Sequence, residues 1–314
     1  MKFSLSIAAL LCVFGSAPAP QAWAQTAESA ATATLPPPYK IERFSRPGPM
    51  VGVVAAINLA HPQVKIKVAL ADDVDPDGDG PCVGQLDTPS NTARKNEFAI
   101  TLNASFFAAP HVKQMDGQKV RYYVGNCTMP VGWHVASGKT LATPANEKLR
   151  ATMLVMEDGS VALKADVQVL PPKTKYAVSG NVMALLNGDI VARDKNGVRH
   201  PRSAVGISAN GKTLYLVAVD GRQEKHSIGA NMFELGELMK QIGAHDAINL
   251  DGGGSTAMVV KDVRTGTYAL ANQPSELSTD GFAVRMERPV ADVIGIILET
   301  AENSKRPVNS NTQK

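Results

Sequence analysis

Short apolar runs, most of strand length, set the pattern of this chain. Residues 51–59, 64–70, 98–102, 152–156, 204–207, 213–219, 247–250 and 282–286 are rich in valine, isoleucine and leucine. Each breaks off at a glycine, a proline or polar residues, which predicts a strand at each. One stretch follows the helical period instead. Met232, Leu235, Leu238, Met239 and Ile242 fall on one stripe. Asn231 stands where a cap belongs, Glu234 is its reciprocal capping-box partner, and Gly243 ends the helix. The predicted fold class is α+β, with mixed β-sheets, few helices and one domain over residues 46–300.

The helix lies between two runs with informative ends. Residues 213–219 lead into Asp220-Gly221-Arg222, and 247–250 lead into Asp251-Gly252-Gly253-Gly254-Ser255-Thr256. A strand–helix–strand crossover predicts neighbouring parallel strands, with Asp220, Arg222 and Asp251 meeting at one sheet edge. Consecutive glycines let backbone N–H groups turn inward towards a ligand. Two carboxylates and a guanidinium beside such a loop suggest a site for an anionic substrate.

Five pieces of the chain then resemble, in order, the phosphodiester glycosidase family. They are Asn103-Ala104-Ser105-Phe106-Phe107, Pro201-Arg202-Ser203-Ala204-Val205-Gly206, Val219-Asp220-Gly221-Arg222, Asn249 through Thr256, and Glu287-Arg288-Pro289-Val290. Ser203 stands where the family pattern usually has threonine. Asp292 stands where it commonly has asparagine, so no role is carried over to that position. The resemblance covers roughly residues 50–300 and implies a single catalytic domain of that type. It also implies cleavage between a sugar's anomeric carbon and a phosphodiester oxygen.

That reaction assigns expectations to residues. Asp251 and Asp220 are the expected catalytic pair, with acid, base and nucleophile left unassigned between them. Arg202 and Arg222 suit the phosphate, since a planar guanidinium grips two of its oxygens at once. Asn103, Asn249, Gly252, Gly253, Gly254 and Ser255 are expected on the substrate or phosphate. Phe106 and Phe107 read as core, and His200 as a loop histidine outside the chemistry. The competing reading is a non-catalytic protein that binds exopolysaccharide or assists its assembly.

Composition narrows the rest. The 32 lysines and arginines nearly balance 29 acids, giving a net charge of +3 without a basic block. Nucleic acid is therefore not an expected partner, and a carbohydrate or glycosyl phosphate is. Lys2, the apolar stretch 5–15 and Ala22-Trp23-Ala24 read as a signal peptide over 1–24. Residues 25–45 are expected to be a disordered leader and 301–314 a flexible tail. Leu11 before Cys12 argues against a lipid anchor, so the mature protein is expected in the periplasm or outside the cell, with no stable membrane anchor. Removal of Cys12 leaves Cys82 and Cys127, an even pair expected to form a disulfide in an oxidising compartment. No His or Cys cluster has zinc spacing, and no Gly-x-Ser-x-Gly elbow is present. Asp75, Asp77 and Asp79 begin like an EF-hand loop, but Leu86 fills the twelfth position. A solvated acidic loop is the reading there, with a loosely held structural calcium as the one open cofactor.

Overall fold

A computed structural model describes residues 36–72, 77–78, 80–115, 117–144, 149–278 and 284–299. The expected signal peptide, most of the leader and the tail lie outside the described residues. So do Asp73, Asp75 and Asp79 of the acidic loop. Among the described residues no helix is long and apolar enough to cross a membrane.

Three sheets surround the main core. A seven-stranded sheet runs in the order Tyr39–Arg46, Met50–Asn58, Thr213–Val219, Arg202–Ile207, Asp246–Asn249, Val182–Leu186, Asp189–Ile190. A five-stranded sheet contains Tyr268–Leu270, Met258–Lys261, Ile100–Asn103, Asp292–Leu298 and Val64–Leu70. The other five-stranded sheet is built from Lys139–Ala142, His134–Ala136, Thr174–Gly180, Ala151–Met156 and Val161–Lys164. Strand alternation points one set of side chains from each sheet inward. Ile57, Leu216 and Ile248 thereby meet Ile100, Leu102 and Ile294, and Met153 with Val178 completes the cluster. Each such fully buried side chain contributes roughly 1.5–3 kcal/mol.

The opposite face of the seven-stranded sheet is covered by the helix Met232–Gln241. Its capping box is complete: Glu234 N–H donates to Asn231 Oδ1 over 2.8 Å, and Asn231 N–H donates to Glu234 Oε2 over 2.9 Å. Leu235, Leu238 and Met239 pack on Ala184, Ala204, Val217 and Ala247. The predicted stripe is core.

Two expectations need correction. Thr213–Val219 and Asp246–Asn249 run the same way but are not neighbours, because Arg202–Ile207 lies between them, antiparallel to both. Arg202–Ile207 turns straight back into Thr213–Val219 through a tight turn closed by Gly211 N–H on Ser208 C=O. That short link fills one edge, and Met50–Asn58 fills the other. The two acid-bearing strand ends still reach the same end of the sheet. Within the segment 25–45 expected as a disordered leader, Tyr39–Arg46 is instead an edge strand. Its Tyr39 and Ile41 pack on the main core, so apolar alternation outweighs the polar composition before it. The helix content is low, with two α-helices among the described residues, so the α+β fold is dominated by sheet.

Cys82 and Cys127, 45 positions apart in sequence, are bridged, with their Cα atoms 5.5 Å apart. A loop of that size is worth about 4 kcal/mol in the chain-entropy model. The variant Cys82→Ala/Cys127→Ala is therefore expected to lose about 2–4 kcal/mol in denaturant unfolding. A loss below 0.5 kcal/mol would show that the bridge does not constrain the unfolded chain.

Candidate active site

The glycine loop hangs between the ends of two sheets. Leu250 N–H donates to Ser203 C=O over 2.9 Å, keeping register with the seven-stranded sheet. One residue later, Asp251 N–H donates instead to Ala104 C=O over 3.0 Å, beyond the strand Ile100–Asn103 of the neighbouring sheet. Asn103 locks this transfer: its Nδ2 donates to Asp251 C=O over 2.7 Å. Its Oδ1 accepts from Ser203 Oγ at 2.6 Å and Ala257 N–H at 3.2 Å. Asn103 is 1% exposed and absent from the cleft wall. It positions the loop rather than a substrate, which corrects its expected place on the ligand.

Beside this loop opens a cleft of about 310 Å³, lined among others by His200, Arg202, Arg222, Asp251, Gly252–Gly254 and Arg288. Two of its cations stand together. Arg202 spends only Nε on the protein, donating to Ala230 C=O over 3.0 Å. Burial first, and then the nearby Arg222 charge, lower its pKa. Neither arginine has an acidic partner among the described residues. Arg222 adopts φ +59°, a left-handed conformation that a side chain rarely takes and that commonly marks a functional position. His200 sits beside them, its pKa lowered by burial and then by Arg202 and Arg222, so the ring is neutral. Its Nδ1 is buried without a partner. Like charges held together without counter-charge make a place suited to an anion.

Asp251 lines the same cleft. Burial pushes its carboxyl up to about 6, and the Asp292 charge adds to this. The Ser255 hydroxyl, the Arg288 charge and Gly252 N–H pull the other way. Arg288 donates to Glu276 Oε2 over 2.7 Å and lies 4.1 Å over the Tyr122 ring. Its charge is thus largely answered, unlike those of Arg202 and Arg222.

The three glycines serve proximity more than donation. Gly253 N–H goes to Pro201 C=O over 2.9 Å, and Gly252 N–H faces the Asp251 carboxyl. Neither is left for an anion, so the expected cradle is largely used up by the protein itself. Space is the stronger reason for glycine. A Cβ on Gly252 would lie 2.6 Å from Pro201 C=O, and one on Gly253, at φ +61°, 3.0 Å from an Arg222 nitrogen. On Gly254 it would collide with Glu276 and Arg288.

Asp220 is the main departure from the sequence reading. It is 1% exposed and not among the residues lining the cleft. Its carboxylate accepts from His226 Nε2 at 2.7 Å, Asn272 Nδ2 at 3.1 Å and Gln273 N–H at 2.9 Å. Both oxygens are occupied in pinning the turn that carries Arg222. Asn249 and Ser255 do belong near Asp251, both buried, the Ser255 hydroxyl facing the Asp251 carboxyl and the Asn249 Oδ1 left without a partner. Phe106 lines the cleft, against the core reading, whereas Phe107 packs against Tyr122 as core. His200, Arg288, Glu276 and Asn181 belong to the site or its wall and were missed. The family-like Glu287-Arg288-Pro289-Val290 piece was the available signal for Arg288. Among the described residues no cluster of three His, Cys, Asp or Glu side chains is placed to hold a metal.

The raised pKa has a consequence for stability. An unfolded Asp251 ionises near 3.8 and the folded one near 6. The folded chain therefore binds the extra proton between these values, and above the upper one it holds an unfavourable buried charge. Asp251→Asn removes that charge and is expected to raise stability at pH 7.5 by about 1–3 kcal/mol. The gain should shrink to nothing near pH 4, read from urea unfolding at both pH values. Equal or lower stability of the variant at pH 7.5 contradicts the burial of this charge.

Comparison with known proteins gives the family. A sequence model of the phosphodiester glycosidase family matches residues 96–297. The N-acetylglucosamine-1-phosphodiester alpha-N-acetylglucosaminidases of Bos taurus and Homo sapiens are 27% and 26% identical over 243 residues, 70% of this chain. The chain spans about two fifths of the length of these relatives, 41% and 42%. In fold, it is similar to the zebrafish N-acetylglucosamine-1-phosphodiester alpha-N-acetylglucosaminidase catalytic domain auto-inhibited by its pro-peptide. The TM-score is 0.60 at 20% identity, covering 85% of each chain. A putative exported protein from Burkholderia pseudomallei gives 0.50 at 17% identity, covering 79% of this chain and 74% of that one. With the family match spanning well over half of its length, this chain belongs to the phosphodiester glycosidase family.

Proposed function

We propose that the protein is an exported hydrolase that breaks the bond between a sugar's anomeric carbon and a phosphodiester oxygen. The substrate is a glycan or glycosyl-phosphate polymer in the periplasm or outside the cell. The observation that carries this reading is the pairing, in one cleft, of two uncompensated arginines with a buried carboxyl. The signal-like segment 1–24 and the Cys82–Cys127 bridge support export.

An ordinary glycosidase uses two carboxyl groups, one of them to protonate the leaving oxygen. A phosphate monoester leaves differently. Its second pKa is near 6, so charge neutralisation replaces protonation, and one carboxylate suffices. Arg202 and Arg222 hold the departing phosphate, and the neutral His200 imidazole donates a hydrogen bond to it. Asp251, as carboxylate, faces the anomeric carbon, where it attacks or takes a proton from water. The C1–O bond breaks with its electron pair going to the phosphate oxygen, and water supplies the new C1 hydroxyl. Asp220 supports the reaction by holding the Arg222 turn.

Release of reducing sugar from a panel of sugar 1-phosphodiesters tests this directly. Because Asp251 works ionised, kcat/KM should fall as pH drops through about 6. A profile that instead falls above that pH makes Asp251 an acid. Arg222→Lys keeps the charge but not the fork, and should reduce kcat/KM on the phosphodiester more than tenfold, above about 1.4 kcal/mol. An equal loss on an uncharged aryl glycoside would defeat the phosphate role.

A further inference from the structure

We propose that Asn249 reads the substituent on the sugar's C2, accepting a hydrogen bond from its O–H or N–H, with Asn181 donating beside it. This rests on the glycosidase reading above and assigns the half of the cleft that the arginines leave undescribed.

The orientation of the Asn249 amide is fixed by its neighbours. Its Nδ2 donates to Leu250 C=O over 3.0 Å and to Asn181 Oδ1 over 2.8 Å. A backbone carbonyl only accepts, so the nitrogen must face it and Oδ1 must face away. That oxygen is buried and has no partner, on a residue 1% exposed. Asn249, Asn181 and Phe106 line the same cleft as Asp251. Buried acceptors in folded proteins are normally paired, so an orphan at a cleft wall points to a ligand donor.

The donor is not the phosphate. A phosphodiester carries no proton at neutral pH and offers only acceptors, which suit Arg202 and Arg222. Asn249 Oδ1 needs the opposite polarity, an O–H or N–H, and the sugar supplies both. Asn181 is exposed, its Oδ1 engaged by Asn249, and its own Nδ2 meets no acceptor among the described residues. The pair thus offers one acceptor and one donor, which fits a hydroxyl or a secondary amide.

Position along the chain selects C2. Asn249 lies two residues before Asp251, so their Cα atoms are at most about 7 Å apart. With Asp251 at C1, the nearest donor that Asn249 can take is the one on the adjoining carbon, because the ring oxygen on the other side of C1 carries no proton. Hydrogen bonds to the C2 substituent strengthen as charge develops at the anomeric carbon, so this contact favours the transition state as well as binding.

The test uses methyl phosphodiesters of α-glucose 1-phosphate, its N-acetylglucosamine counterpart, and the 2-deoxy and 2-O-methyl analogues. kcat/KM is measured for wild type, Asn249→Ala and Asn181→Ala. Comparing the same substrate ratio across proteins cancels the intrinsic reactivity of the 2-deoxy sugar. Wild type should favour the C2 donors over 2-O-methyl and 2-deoxy by a ratio at least about tenfold larger than Asn249→Ala does. Asn181→Ala, at an exposed position, should retain folding and lower the 2-acetamido rate relative to the 2-hydroxy rate. It covers the case in which Asn249→Ala fails to fold. Inhibition by inorganic phosphate should be unchanged in both variants. Ratios that match wild type in the folded variants overturn the C2 assignment while leaving the glycosidase reading intact. Cleavage of none of the four substrates by wild type overturns that reading, and this assignment with it.

Discussion

The carboxamide of Asn103 is the point on which the cleft depends. It sits at the end of one sheet and makes three hydrogen bonds, to Asp251 C=O, Ser203 Oγ and Ala257 N–H. These join the strand that bears Arg202 to the loop that bears Asp251. Without it, several buried polar groups would lose their partners at once, at roughly 1–3 kcal/mol each. The sheets could still form, but the acid and the cations would no longer share a fixed frame. Precise placement of charged groups needs rigid elements behind them, and here the rigidity comes from two sheet ends tied at one side chain.

What the frame holds in place is electrostatically unfavourable. Arg202 and Arg222 face one another without an anion, Arg222 in a left-handed backbone conformation. Asp251 is buried away from those charges, nearer to an arginine that Glu276 already answers. Each feature opposes folding, and in the proposed reaction the charges are answered by the phosphodiester as its bond to the sugar breaks. The glycines belong to the same arrangement, since side chains at 252–254 would push Pro201, Arg222 and the Glu276–Arg288 pair apart. Function is drawn here from local instability, a recurring trade in active sites.

Much of this was legible in the chain because the signals are local. The strand runs, the capping box at Asn231 and Glu234, and an acid at a strand end beside glycines all lie within a few residues of one another. The sheet order was not legible, because it depends on which edge a tight turn claims first, and the hairpin through Gly211 displaced the expected parallel pair. Asp220 and Asp251 look alike in sequence, each following an apolar strand and preceding a glycine. They differ through Asn272 and Gln273, more than 50 positions away, which take up the first and not the second. Glu276 and Arg288, beyond the reach of any local pattern around Asp251, were hidden likewise, and burial, which sets the proton affinity of Asp251, has no local signature.

The central claim is that the cleft breaks carbon–oxygen rather than phosphorus–oxygen bonds. The most direct measurement is hydrolysis of a sugar 1-phosphodiester in water enriched in oxygen-18, with the released phosphate monoester read by its phosphorus NMR isotope shift. Attack at the anomeric carbon predicts a phosphate ester with no label, the heavy oxygen residing in the sugar. Label in the phosphate ester would mean that water attacks phosphorus, and the arginines and Asp251 would then serve a phosphodiesterase instead.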